Sequence, residues 1–284
     1  MDILIKNFIK IISLILLTIF MFSCSNDKKD FEDIKDLEKE TNNIIYSTQD
    51  IHLKIKSCDN VINALNEFLT NRKINEWTKL AETDLELWKN RKEEFIQESD
   101  YLAVKQVASS SFLAIEKSND YSENLSSCEK VITATNNFLQ TYKQGKWLEI
   151  TDNLNWKVKQ VKDILEEEFK ILSQRLDLAL HEHAINQANK DYPLHRLKDI
   201  KLITKQFINE PNKIIRKKTY YIIMELPILK TIKEINLLVS GYIDSDLKTL
   251  NIEGNSESVS IWGSIQQLEN KRAIIWKEIS ELIK

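Results

Sequence analysis

The chain reads as an all-α protein, a helical bundle built partly from two repeated helical hairpins, and three observations predict this. It holds four glycines and three prolines in 284 residues, whereas hairpin-rich β architectures need glycine, asparagine and proline at their turns. Its apolar residues recur at steps of three and four, the spacing that lines one face of an α-helix. A segment from Ser57 to Trp77, SCDNVINALNEFLTNRKINEW, returns seventy positions later, from Ser127 to Trp147, as SCEKVITATNNFLQTYKQGKW, the mark of a duplicated unit.

Taken from the N-terminus, residues 1–23 read as a secretory signal peptide. Lys6 and Lys10 precede an uncharged apolar run from Ile11 to Met21 that ends at Ser23 and Cys24, the order of charge, short apolar stretch and small residue that export signals share. The run is shorter than the roughly 20 apolar residues of a membrane span. Met21-Phe22-Ser23-Cys24 resembles a lipobox, departing from the common bacterial form at Phe22. The resemblance implies cleavage before Cys24 and lipidation of its thiol, and two or more acyl chains make a lasting anchor at roughly 0.8 kcal/mol per buried CH2. Residues 24–36, mostly charged and polar with Phe31 and Ile34 as the large apolar exceptions, are expected to form a flexible tether.

A repeat-containing helical domain is expected over residues 37–190. Ile51, Ile55, Cys58, Ile62, Leu65 and Leu69 form a core-facing stripe, and Tyr121, Leu125, Cys128, Ile132, Thr135 and Leu139 repeat its steps. Asn71-Arg72-Lys73 and Lys143-Gln144-Gly145 read as turns, with Trp77 and Trp147 opening the partner helices, so that hairpins fill about 51–99 and 121–188. A further helix fits Tyr101 to Lys117. Over residues 191–284, Pro193, Pro211 and Pro227 are read as helix stops or starts. They divide a C-terminal helical region into helices near 194–209, 211–225 and 228–252, followed by a loop at 253–258 and a last helix carrying Trp262 and Trp276.

With Cys24 acylated, Cys58 and Cys128 remain at equivalent places in the repeats. A disulfide between them is the expectation if the hairpins are related by an approximate twofold axis, and two buried free thiols are the alternative. His181-Glu182-His183 places its histidines two apart, not the four that a helical zinc site needs, so no metal is expected. The Glu166-Glu167-Glu168 run reads as a wet helix face. Lys213, Arg216, Lys217 and Lys218 form the densest basic patch and are the candidate binding residues, suited to an acidic glycosaminoglycan or the acidic face of a host protein. No phosphate loop, nucleophile elbow or paired CxxC is present, so no catalytic residue and no cofactor are assigned and the chain is expected not to be an enzyme. The formal net charge of -3 disfavours nucleic acid as a partner.

The signal and lipobox, the Asn-, Asp- and Lys-rich tether, and a body crowded with Ile, Lys and Asn together resemble the outer-surface lipoproteins of Borrelia, among them the helical complement-regulator-acquiring surface proteins. The likeness is specific over residues 1–36 and compositional beyond them. It implies lipid anchoring to the outer membrane through Cys24, display on the cell surface, and a non-catalytic binding module for a host or vector molecule in adhesion or immune evasion. The alternative is a periplasm-facing lipoprotein that scaffolds an envelope assembly or binds a small ligand.

Overall fold

A computed structural model describes residues 27–284 apart from positions 71, 119, 211, 245–248, 254 and 259–261. The signal peptide, Cys24, Asn71, Pro211 and the side chain of Trp262 lie outside the described residues. Among the described residues the chain forms six helices, α1 over 27–47, α2 Ile51–Thr70, α3 Glu76–Lys117, α4 Tyr121–Thr141, α5 Trp147–Asp191 and α6 Trp262–Leu282. Five strands, β1 Arg196–Glu210, β2 Lys213–Leu226, β3 Thr231–Asp244, β4 Thr249–Ile252 and β5 Asn255–Ser258, lie between α5 and α6. The chain divides into two compact units, one ending at Leu102 and one beginning at Ala103.

The first unit is a three-helix core. Phe31, Ile34 and Ile45 from α1 meet Cys58, Val61, Ile62, Leu65 and Phe68 from α2 and Ala81 and Trp88 from α3. The tether expected over 24–36 is therefore helix from residue 27 on. Phe31 packs its ring 5.8 Å from Phe68 and 5.9 Å from Trp77, and Arg72, in the turn after α2, pairs with Asp27 and Asp30. Asp27, Asp30 and Lys35 are spent on partners, Lys28, Lys29, Glu32, Asp33 and Asp36 form the exposed side of the helix, and the two large apolar residues fall one helical turn apart on the buried side. Asn75 caps α3, its Oδ1 accepting from the backbone N–H groups of Trp77 and Thr78 at 2.9 Å each, which satisfies two otherwise orphaned donors.

The repeat is visible in burial. Ser57, Cys58, Val61, Ile62 and Phe68 are buried in α2, and Ser127, Cys128, Val131, Ile132 and Phe138 are buried at the matching places in α4. The same seventy-residue offset relates α1 to the last part of α3. Phe31, Ile34, Thr41 and Ile45 are buried, and so are Tyr101, Val104, Ser111 and Ile115. The repeated element is thus three helices rather than a hairpin. Helices expected at 75–99 and 101–117 are one continuous α3 of 42 residues, which closes one copy and opens the next. No proline interrupts it, and Glu98-Ser99-Asp100 is solvent-compatible sequence that a helix carries without penalty beyond a few tenths of a kcal/mol, roughly.

The second unit overturns the all-α expectation, since the protein is α+β. The helices expected at 194–209, 211–225 and 228–252 are instead the three long strands of an antiparallel sheet in the order β1-β2-β3-β4-β5, and the expected loop at 253–258 holds β5. Burial alternates along β2 with period two, Ile214, Arg216, Lys218, Tyr220, Ile222 and Met224 facing in, the signature of a strand with one covered face. The scarcity of glycine misled because the left-handed positions beside these turns are taken by Asn212 (φ 62), Lys230 (φ 51) and Glu253 (φ 49). Such conformations are uncommon for residues with a Cβ. Pro227 opens the four-residue turn between β2 and β3 instead of a helix, with Leu226 paired to Thr231 across it.

Helix α5 organises this unit. Its Leu172, Leu176, Ala179, Leu180, Ala184 and Ala188 pack on Ile222 and Met224 of β2, Val239 and Ile243 of β3, Leu250 of β4 and Ile265 of α6. Full burial of each large member is worth roughly 1.5–3 kcal/mol. Small residues along the helix let the sheet approach, and so does Gly241 in β3. A Cβ there would lie 2.6 Å from the Asn251 carbonyl oxygen and 3.2 Å from Leu180 Cδ2.

Candidate functional site

One charged residue interrupts the core face of α5. Val161, Leu165, Glu168, Leu172, Leu176 and Ala179 follow one another at steps of three and four and all are buried, so helical geometry carries Glu168 inward with its apolar neighbours. It is 0% exposed, which corrects the reading of Glu166-Glu167-Glu168 as a wet face. A buried carboxylate needs partners. Arg272 of α6 supplies one, its Nη1 lying 3.2 Å from Glu168 Oε2, and the Tyr121 hydroxyl donates to the same oxygen at 3.3 Å. Burial, and then the Glu168 charge, hold the Tyr121 phenol well above its ordinary range.

Beside this pair lies a cavity of about 280 Å3, walled by the end of α3, the start of α4 and α6. Asp120 caps α4, its Oδ1 accepting from the Ser122 N–H at 2.7 Å and the Glu123 N–H at 3.3 Å, and so fixes where Tyr121 and Asn124 stand. Asn124 donates through Nδ2 to the Ser118 carbonyl at 3.0 Å. That bond sets the amide orientation and leaves the buried Oδ1 without a partner. Four residues apart on α6, Arg272 and Trp276 line the opposite wall. The Trp276 Nε1–H donates to Glu116 Oε1 at 3.1 Å, and its ring meets Phe112 edge-on at 4.6 Å.

The basic residues singled out in the sequence are not gathered into one surface. They lie on a strand, not a helix, and strand alternation sends them to opposite faces. Arg216 and Lys218 are 2% and 5% exposed and face α5, while Lys217 points outward. Arg216 donates through Nη2 to Ser173 Oγ at 3.2 Å and stacks 4.2 Å from the Phe207 ring. Lys218 and Lys205 both reach Asp177, at 2.9 and 2.5 Å. Burial opposes ionisation of Asp177, but hydrogen bonds from these two lysines outweigh it and hold the carboxyl below its ordinary range. Lys213, at the start of β2, sits 5.1 Å from the Tyr242 ring.

Cys58 and Cys128 are free thiols, both buried, so the expected bridge is not formed. Each lies on the inner face of its own copy of the repeat, Cys58 within the first unit's core and Cys128 in the second unit. Tandem copies give each cysteine its own interior to fill, where it serves as a small hydrophobe. Burial pushes the Cys128 thiol up to about 12. His181 packs edge-on against Tyr220 at 5.4 Å, and His183 Nε2 lies 3.1 Å from Glu253 Oε2. Among the described residues no cluster of three or more metal-ligating side chains occurs, and no helix is long and apolar enough to cross a membrane.

Compared with known protein families, curated proteins and solved structures, the chain matches none. None of the cavity residues Tyr121, Asn124, Arg272 and Trp276, nor Glu168 beside them, was read as a site residue from the sequence, where Tyr121 and Trp276 were placed on helices and Glu168 in a solvated run. Only Glu168 had a legible signal, its place on the apolar stripe of α5.

Proposed function

We propose that this chain is a lipid-anchored, non-catalytic binding module, held at the outer membrane through Cys24 and displayed on the cell surface to bind a host or vector protein. The observation that supports it is the outer side of the β2–β3 hairpin. Ile228 and Leu229 in its turn are exposed, Ile228 at 90%, and Ile232 and Leu238 stand on the face of the sheet away from α5, Leu238 at 61%. Exposed apolar residues at a hairpin tip and along its outer face suit contact with another protein. An anionic polysaccharide suits the unit less well, because Arg216 and Lys218 are turned inward and bonded.

Two measurements test the reading. Protease added to intact cells should remove the protein, and survival until the outer membrane is broken would end the surface assignment. Capture of a serum or vector protein by the lipid-free chain should fall at least tenfold in an Ile228→Asp, Leu238→Asp variant and persist in Lys217→Ala. Equal capture by both variants would remove the hairpin from consideration.

A further inference from the structure

We propose that the face of the sheet turned towards α5 binds, beside β1, a small carboxylate borne on an apolar tail, which takes the place of the Phe207 ring between Arg216 and Lys205. Arg216 is 2% exposed, and a buried charge needs a counter-charge. Among the described residues its hydrogen bonds reach two neutral oxygens, Nη1 donating to the Ile215 carbonyl at 2.9 Å and Nη2 to Ser173 Oγ at 3.2 Å. Its Nε is buried and donates to nothing. Asp177 acts on the guanidinium through space, but Lys205 and Lys218 hold that carboxylate at 2.5 and 2.9 Å. Three cations share one anion here, so the site selects its ligand by sign of charge.

Geometry narrows the anion further. Nε and Nη2 form one edge of the guanidinium, whose parallel N–H directions match the two oxygens of a carboxylate, and along that edge Nη2 meets only the Ser173 hydroxyl. The Phe207 ring lies 4.2 Å from the Arg216 guanidinium and 4.6 Å from Lys205 Nζ. It offers two cations the partial negative charge of an aromatic face, a weak substitute for a full one. The ring is also displaceable, because Phe207 stands on an edge strand, is 59% exposed, and exposed side chains change rotamer within nanoseconds. Leu202, which shares this face through its pairing with Tyr220, is half exposed too, since the buried core under α5 is drawn from β2, β3 and β4. An apolar tail lying along β1 would cover Leu202 and the displaced ring. The site lies on the face of the sheet opposite Ile232 and Leu238 and is independent of what the β2–β3 hairpin binds.

The test is isothermal titration calorimetry on the mature chain, kept lipid-free by Cys24→Ser, with sodium octanoate against sodium acetate, n-octanol and octylammonium chloride. Saturable 1:1 binding of octanoate is expected, at least tenfold tighter than that of the other three. Arg216→Gln and Lys205→Gln should each weaken octanoate binding at least fivefold, with circular dichroism reporting that each variant is folded. Lys205, partly exposed, carries the comparison if Arg216→Gln does not fold. Phe207→Ala should tighten acetate binding at least threefold, since the anion no longer competes with the ring, whereas a patch that binds by apolar contact alone gains nothing. No saturable heat with octanoate, equal affinity for acetate, octanol or octylammonium, unchanged octanoate binding in the folded charge variants, or acetate bound no more tightly by Phe207→Ala would overturn the assignment.

Discussion

Replacing Arg272 with alanine should destabilise the second unit by about 3 kcal/mol, the lower end of the range for breaking a buried ion pair by removing one partner. The carboxylate it leaves behind is fully buried, while Arg272 itself is 25% exposed. At 3.2 Å and an effective dielectric constant of about 20, the lost attraction is about 5 kcal/mol. Water reaching the vacated arginine site, together with the retained Tyr121 hydrogen bond, returns part of it. The loss comes from stranding a charge, not from an intrinsically strong pair, and this gives the prediction its second half. In a Glu168→Leu, Arg272→Leu double variant neither charge of the pair is stranded and only the Tyr121 hydroxyl loses its acceptor, so stability should return to within about 1–2 kcal/mol of the parent, because apolar replacement of a whole buried pair is often neutral or better. Urea denaturation followed by circular dichroism measures both. A cost below about 1 kcal/mol for Arg272→Ala, the range of surface pairs, or a double variant as unstable as the single one, would refute the reasoning.

Asp177→Asn should cost about 2 kcal/mol at pH 7, since it leaves the buried Lys218 ammonium poorly paired. Because the folded carboxyl titrates below the ordinary carboxylate range, its stabilisation is complete above the ordinary value and disappears as pH falls through the lower folded one. Urea midpoints of parent and variant should therefore converge in acid, and a constant gap would contradict the assignment. In a Cys24→Ser chain, Ellman's reagent at pH 8 should react with neither Cys58 nor Cys128 in the native protein and with both in denaturant, as burial keeps thiolate scarce; unreactive denatured protein without reductant would reveal a bridge. Gly241→Ala should destabilise by about 1–3 kcal/mol through overpacking, since its Cβ would press on the Asn251 backbone oxygen. Gly263→Ala in α6, where a Cβ meets nothing within 4 Å, should instead stabilise by up to about 1 kcal/mol in thermal melts.

The helical half of the fold was legible because duplication wrote it twice. Val61 and Val131, or Phe68 and Phe138, recur in sequence and are buried alike. The third helix of the repeat stayed hidden because Glu38 and Asn42 of α1 correspond to Ala108 and Phe112 of α3, preserving the buried side while changing its chemistry. Glu38 stays inside by accepting from the Trp88 indole at 3.0 Å. The sheet was missed for a different reason. Arg216 and Lys218 on its inner face break the apolar alternation that announces a strand, and they are tolerated there only because Ser173 and Asp177 of α5 wait opposite. A charge that finds its partner forty residues away in the chain cannot be recognised as a core residue from its own neighbourhood. The cavity was equally illegible, since α3, α4 and α6 contribute to it from distant stretches of sequence.

The shared helix α3 has a consequence for how such a chain can grow or shrink. Because the last helix of one copy is also the first of the next, the junction between copies contains no linker, and a cut inside α3 joined to the matching point inside α5 would remove seventy residues without creating a new type of turn or cap. Recombination between the two Ser-Cys-x-x-Val-Ile segments would yield shorter or longer descendants that carry the same sheet-bearing end.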